Sequence, residues 1–190
     1  MANKMLIKER KLKGVFEITP EPHEDNRGFF MRTYDEKIFM DHGLHRNWVQ
    51  ENHSYSKKKG TLRGLHFQFP PHVETKLIRA VSGEIFMAFV DLRKSLSTFG
   101  KWDSMIISES NKKLLYIPRG LALGMCTLTD NCTLLYKMDN YYAQESAGTI
   151  KWDDPDIGID WPITNLVLSE KDSKAEGFKE FVKTHRGLEV

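Results

Sequence analysis

Residues 76–93 read KLIRAVSGEIFMAFVDLR, two apolar runs joined by the turn dipeptide Ser82-Gly83. Lys76–Val81 is a compact apolar run, and Glu84–Arg93 is apolar on both faces, as is typical of buried strands. Two such runs separated by two turn residues predict a β-hairpin at Ser82-Gly83.

Similar runs extend in both directions at a spacing of roughly ten residues, which predicts an all-β sandwich or barrel. The further predicted strands are 61–68, 102–108, 113–117, 121–128 and 133–138. Two helices are also predicted. The first spans Asp35–His42 and stops at Gly43. The second spans about 173–183, where Ser173 is the N-cap and Ala175, Phe178, Phe181 and Val182 form an apolar stripe.

Composition limits the functional classes. The chain has 190 residues, with 28 Lys+Arg against 26 Asp+Glu, and its length favours a single domain over 1–190. A net charge of +2 without a basic run argues against a nucleic-acid partner. The segment Met1–Lys13 is too charged for a signal peptide, and no apolar stretch is long enough to span a membrane. We therefore expect a cytoplasmic protein in which Cys126 and Cys132 are free thiols.

His66 is the one histidine within a strongly strand-like segment, and a lone strand histidine is more often structural than catalytic. β-Barrels that hold a metal usually offer two histidines one residue apart and a third after a Pro-x-Gly turn. Here Gln68 stands two residues after His66, and the turn Pro118-Arg119-Gly120 precedes no histidine. The sequence therefore predicts no metal site.

Arg63, His66 and Lys76 could serve proton abstraction beside a carbonyl, with histidine as base and the cations holding enolate charge. Strict alternation would place Arg63 and His66 on opposite faces of their strand. Gly64 between them can supply a bulge that turns both to one side. Tyr136 is, from its strand alone, better interpreted as a core tyrosine.

Many spaced motifs between about Asp25 and Asp172 resemble the dTDP-4-dehydrorhamnose 3,5-epimerase family. They include Leu62-Arg-Gly-Leu-His-Phe-Gln68, Val90-Asp-Leu-Arg93, Thr98-Phe-Gly-Lys-Trp102, Leu135-Tyr-Lys137 and Trp152-Asp-Asp-Pro-Asp-Ile-Gly-Ile-Asp-Trp-Pro162. The resemblance implies a cupin-like double-stranded β-helix, or jelly roll, with a few short helices. It also implies that no cofactor is needed and that a homodimer exchanges N-terminal strands.

The resemblance implies an epimerase of a nucleotide-linked 4-keto-6-deoxyhexose, an isomerase of deoxysugar biosynthesis such as that of lipopolysaccharide. His66 matches the base, Asp172 the carboxylate that orients it, Lys76 a cation near the enolate, and Tyr136 the acid that returns a proton to the opposite face. Positions that match substrate-binding residues are Arg27, Gln50, Asn52, Arg63, Tyr142 and Lys171.

Three positions depart from the family pattern. Leu123 stands where the family turn carries a pocket histidine. Arg32 and Ala147 stand where ligand-binding glutamates are common, and Glu145 lies close to Ala147. A leucine can neither donate a hydrogen bond nor relay a proton. We therefore predict inversion at one centre, C3, with C5 inversion and the choice between a dTDP- and a CDP-linked substrate left open.

Two alternatives remain at this stage. A chain that has lost a pocket histidine could be a catalytically silent sugar-nucleotide-binding protein, although a binder needs no acid and base. A 3,4-ketoisomerase of related fold would instead move the ketone to C3.

Overall fold

A computed structural model describes residues 4–190, so the first three residues of the N-terminal segment lie outside the described part of the chain. The strands, numbered in chain order, are β1 Met5–Glu9, β2 Phe16–Pro20, β3 His23–Asp25, β4 Gly28–Phe30, β5 Gln50–Ser56, β6 Leu62–Gln68, β7 Lys76–Ser82, β8 Glu84–Asp91, β9 Trp102–Ser108, β10 Leu114–Ile117, β11 Leu121–Thr127, β12 Cys132–Met138 and β13 Ala147–Thr149. The helices are α1 Glu36–Asp41, α2 Glu170–Ser173 and α3 Phe178–His185.

Two antiparallel sheets pack face to face as a jelly roll, which confirms the predicted fold class. One has the order β1-β2-β10-β7-β12-β5, the other has the order β13-β6-β11-β8-β9, and β3 and β4 form a separate hairpin. The core between the sheets combines Ile78 and Leu134 of the first sheet with Met87 and Met125 of the second. Each of the seven strands predicted from the sequence is present, with ends within a residue or two of those expected.

The predicted hairpin at Ser82-Gly83 is wrong. β7 pairs with β10 and β12, whereas β8 pairs with β9 and β11 of the opposite sheet. Gly83 has a φ of +73°, and a Cβ there would lie 2.5 Å from the Cys132 Sγ atom. The two turn residues therefore make a tight corner that carries the chain from one sheet to the other.

β8 is buried on both faces because the five-stranded sheet is covered on its outer side as well. Val90 packs there in a second cluster that includes Ile157, Phe181 and Leu188 from the C-terminal part of the chain. This explains the apolar character of both faces of 84–93.

The predicted helix about 173–183 is wrong in its bounds, because the chain forms two helices there. Ser169, rather than Ser173, caps α2, and its side chain accepts a hydrogen bond from the Asp172 backbone N–H. Between α2 and α3, Glu176 bridges to Ile150, and the Asp154 carboxylate accepts from the Phe178 N–H at 2.8 Å. The segment between the two helices is therefore extended, and α3 begins at Phe178, where Asp154 binds the first N–H of the helix. Asp35 caps α1, within the predicted 35–42.

Both cysteines are free and buried, as predicted. Burial raises the pKa of the Cys126 thiol to about 11. Among residues 4–190, no helix is long and apolar enough to cross a membrane.

Candidate active site

A cleft between the two sheets receives side chains from both. The empty space in and at the mouth of the cleft, including a part open to solvent, is about 520 Å³. The lining residues are Ser54, Arg63, His66, Lys76, Ile78, Met87, Leu123, Gly124, Met125, Leu134 and Tyr136. Four of these were singled out from the sequence as catalytic or binding residues, and the cleft brings them together from β6, β7 and β12.

A bulge in β6 turns Arg63 and His66 toward the same cleft, as predicted. His66 pairs with Leu123 and Arg63 pairs with Met125, so two residues of β6 face the single residue Gly124 of β11. Gly64 has a φ of +131° and lies so close to β11 that an added Cβ would be 2.6 Å from the Gly124 Cα atom. The glycine is therefore required both by its backbone angle and by this contact.

His66 is held by Asp172. The His66 Nε2 atom lies 2.6 Å from an Asp172 carboxylate oxygen, and the Asp172 side chain is 4% exposed against 41% for His66. The Ser169 hydroxyl donates to the other carboxylate oxygen at 2.8 Å. With Nε2–H donating to the carboxylate, Nδ1 carries the ring lone pair that can accept a proton.

The surroundings of His66 favour its neutral form. Partial removal of the ring from water is the largest effect and lowers its pKa below the ordinary value, and the positive charges of Lys171 and Lys76 act in the same direction. Asp172 opposes them, through its hydrogen bond and its charge. A neutral imidazole at neutral pH can act as a general base.

Lys76 and Tyr136 are each held by a polar neighbour. The Lys76 ammonium lies 2.8 Å from a Glu74 carboxylate oxygen. The Tyr136 hydroxyl accepts from the Asn52 amide at 3.3 Å, across the β5–β12 pair. Tyr136 thus lines the cleft. Its strand pattern alone had suggested a position fully within the core.

The remaining predicted binding residues near the cleft fall into two groups. Arg63 and Lys171 line a second space beside Asp172, which shares His66 with the main cleft. Gln50 accepts from the Tyr142 backbone N–H at 2.6 Å, and Tyr142 is 59% exposed. The ring of Tyr142 is therefore free of the core, at the end of a segment tied to the β5 strand.

Arg27 and Arg32 lie away from the cleft of their own chain. Arg27 sits at the tip of the β3–β4 hairpin, where it is ion-paired with Asp25 at 2.6 Å, and Arg32 is ion-paired with Asp35 at 2.8 Å. Neither residue lines the cleft or the space beside it. Ala147 pairs with Gln68 on the edge strand β13 and is also outside the cleft lining.

Several site residues were not anticipated. Glu74 and Gln68 support Lys76, and Ser169 supports Asp172. The spacing Ser169-x-x-Asp172 before the C-terminal segment is a helix N-cap pattern and could have located Ser169. No local pattern marks Glu74. In residues 4–190 no group of three or more His, Cys, Asp and Glu side chains is arranged to hold a metal ion.

The jelly roll carries a cleft with an imidazole–carboxylate pair and with a lysine and a tyrosine in its lining, a set that suits an isomerase working by proton transfer. A family model described as dTDP-4-dehydrorhamnose 3,5-epimerase matches residues 9–180. The chain belongs to that family, as its motifs predicted.

Individual relatives agree with this assignment. A dTDP-4-dehydrorhamnose 3,5-epimerase of Shigella flexneri is 42% identical over 92% of this chain and 96% of its own length. The crystal structure of a dTDP-6-deoxy-D-glucose-3,5-epimerase from Legionella pneumophila, in complex with dTDP-4-keto-L-rhamnose, superposes with a TM-score of 0.92 at 34% identity, covering 98% of this chain and 99% of that one. A 3'-monoepimerase from Streptomyces bikiniensis, in complex with dTDP-quinovose, superposes with a TM-score of 0.89 at 27% identity, covering 94% of this chain and 91% of that one.

Proposed function

We propose that this enzyme epimerises a dTDP-linked 4-keto-6-deoxyhexose by proton removal and return next to the ketone. The observation that carries the proposal is the 2.6 Å contact between His66 and Asp172 at a cleft that Lys76 and Tyr136 also line. Such a set supplies a base, a cation and an acid, which enolisation needs. Proton movement beside a ketone requires neither a hydride carrier nor a metal.

The proposed reaction has two proton transfers. His66 Nδ1 takes the proton from the carbon next to the ketone, and the C–H electron pair moves into an enolate whose oxygen is the former C4 carbonyl. The Lys76 ammonium stabilises that oxygen. The Tyr136 hydroxyl then gives its proton to the other face of the carbon. Water restores both groups, because the His66 imidazolium releases a proton to solvent and the Tyr136 tyrosinate takes one up. The lowered pKa of His66 supports its role as base.

We propose that C3 is the centre inverted. Leu123 pairs with His66 across β6 and β11 and lines the cleft, where it offers no proton or hydrogen bond. With leucine at position 123, the cleft wall has one fewer side chain that can move a proton. This favours inversion at one carbon rather than two. The 3'-monoepimerase from Streptomyces bikiniensis shows that a chain of this fold can act at a single centre.

The nucleotide partner is proposed to be dTDP. The relatives that match this chain over most of its length are named for dTDP-linked sugars, and the Legionella pneumophila structure contains one. Tyr142, exposed and tied by its backbone to Gln50, is suited to stack on the base, and Arg63 and Lys171 are suited to bind anionic oxygens. A CDP-linked sugar is the comparison substrate for the test.

A homodimer is proposed to complete the site. Arg27 lies on a hairpin outside the lining of its own cleft, and Phe29 and Phe30 on that hairpin are 54% and 65% exposed. An exposed aromatic pair beside a cation suits insertion against a second copy of the chain. The buried free thiols Cys126 and Cys132 suit work in the reducing cytoplasm.

Incubation in deuterated water with dTDP-4-keto-6-deoxyglucose tests the proposal, with mass and NMR spectra locating the label. Deuterium at C3 of an epimerised product is expected, at a rate well above that with the CDP-linked sugar. Label at both C3 and C5 with a 4-keto-rhamnose product would overturn the single-centre proposal. A ketone moved to C3 would indicate a 3,4-ketoisomerase. A protein that binds the sugar without exchange would be a silent binder.

A further inference from the structure

Glu74 forms a largely buried ion pair with Lys76. The Glu74 and Lys76 side chains are 8% and 12% exposed, and their charged atoms lie 2.8 Å apart. Ordering a long lysine side chain costs conformational entropy, so a lysine lining a cleft needs a partner to hold one rotamer. Glu74 provides that partner from the residue two positions earlier in the chain.

Glu74 is itself fixed by Gln68. The Gln68 NH₂ group shares its two N–H donors among the second Glu74 oxygen at 2.9 Å, the His72 carbonyl at 2.8 Å and the Tyr141 carbonyl at 3.1 Å. The Gln68 side-chain oxygen accepts from the Ala143 N–H at 2.7 Å. Gln68 is 4% exposed, so this network is shielded from water. The two Glu74 oxygens are therefore assigned, one to Lys76 and one to Gln68.

We propose that Glu74 is a positioning residue that aims the Lys76 ammonium at the enolate oxygen. The inference rests on the proposed function for the role of Lys76, and on the contacts alone for the pairing. Only a carboxylate satisfies both neighbours, because it presents two acceptor oxygens and no donor. A glutamine at position 74 would turn its NH₂ group toward either Lys76 or Gln68, each of which is a donor.

The kinetic test compares Glu74→Gln with Lys76→Met and with the double variant. A misplaced cation costs roughly 10- to 100-fold in rate, so Glu74→Gln is expected to lower kcat by about that factor while KM changes by less than about threefold. Because Glu74 acts through Lys76, adding Glu74→Gln to Lys76→Met should lower kcat no further. Glu74→Asp, which keeps a carboxylate, should recover part of the loss.

The control is Glu51→Gln, which removes a carboxylate 3.2 Å from the Lys137 ammonium, outside the cleft lining. Its kcat should stay within about twofold of the wild type, because a partly exposed surface pair of this kind contributes little to stability and lies outside the cleft. Full kcat in Glu74→Gln, or the same fractional loss in the presence and absence of Lys76, would overturn the proposal.

A spectroscopic arm separates this inference from the proposed function. In protein labelled with ¹⁵N-lysine, a held ammonium gives a side-chain NMR signal that Lys76→Met identifies by its loss. That signal should broaden or vanish in Glu74→Gln. If Glu74→Gln does not fold, Glu74→Asp is measured instead, and its Lys76 signal should shift. An unchanged signal, or none in the wild type, refutes the pairing. Absence of any deuterium exchange by the wild type refutes the proposed function. The NMR signal of Lys76 tests the pairing of Glu74 with Lys76 independently of that result.

Discussion

At the scale of single residues, His66 illustrates how surroundings set the charge of a side chain. Burial and two lysines lower its pKa, while Asp172 raises it. The opposing effects have different consequences, because Asp172 also fixes the ring through Nε2. The Asp172 carboxylate therefore orients the His66 ring and at the same time favours its protonated form, as in other His–Asp pairs.

Replacing Asp172 with asparagine separates these two effects. The wild-type kcat/KM should fall as pH drops through the His66 pKa, below the ordinary value of 6.5. Asp172→Asn removes the one influence that raises this pKa, so the acidic limb should move to lower pH. The plateau should fall by about 100-fold or more, because the ring loses its oriented tautomer. A limb displaced to higher pH in the pH–rate profile, or an unchanged plateau, would contradict the assignment.

At the scale of secondary-structure elements, the sequence predicted the positions of the strands better than it predicted which strands pair with each other. Apolar runs and turn residues placed β7 and β8 with nearly correct ends. They could not reveal that Ser82-Gly83 is a corner between sheets, since a two-residue turn serves either a hairpin or a crossing. The distinction depends on pairing with β10, β11 and β12, which are distant in sequence.

The bulge in β6 was predictable because glycine has a specific meaning within a strand. Gly64→Ala should remove it. The new Cβ would lie 2.6 Å from Gly124 Cα at a φ of +131°, so we expect a destabilisation of about 2 kcal/mol or more, measured by urea unfolding. Residual folded enzyme should lose activity because Arg63 and His66 no longer share the cleft.

Gly43→Ala is the control for Gly64→Ala. Gly43 has a φ of +70° and no heavy atom within 4 Å of an added Cβ, so only the left-handed backbone is penalised, by about 1 kcal/mol. Equal unfolding free energies in the two variants would show that close approach to β11 is not what requires Gly64.

At the scale of the whole molecule, the candidate site draws on distant segments that no local pattern connects. His66 and Asp172 are 106 residues apart in sequence, and only the family motifs indicated their pairing. The ion pair of Glu74 with Lys76 escaped notice because a glutamate two residues from a lysine is common on any strand. Arg27 was assigned to the site by the same motifs, yet it lies outside the cleft of its own chain. A second copy of the chain would reconcile the motif assignment of Arg27 with its position outside the cleft.

Mixing two variants that we expect to be inactive on their own tests whether the site is shared between subunits. His66→Ala removes the proposed base, and Arg27→Ala removes the proposed partner contact. In a two-fold dimer with shared sites, each mixed dimer has one doubly altered site and one intact site. Equal amounts refolded together give mixed dimers in about half of the population, so activity should return to about a quarter of wild type. If Arg27 acts within its own chain, every site in the mixture carries one lesion and no activity returns. The measurement is turnover before and after co-refolding, with each variant refolded alone as the reference.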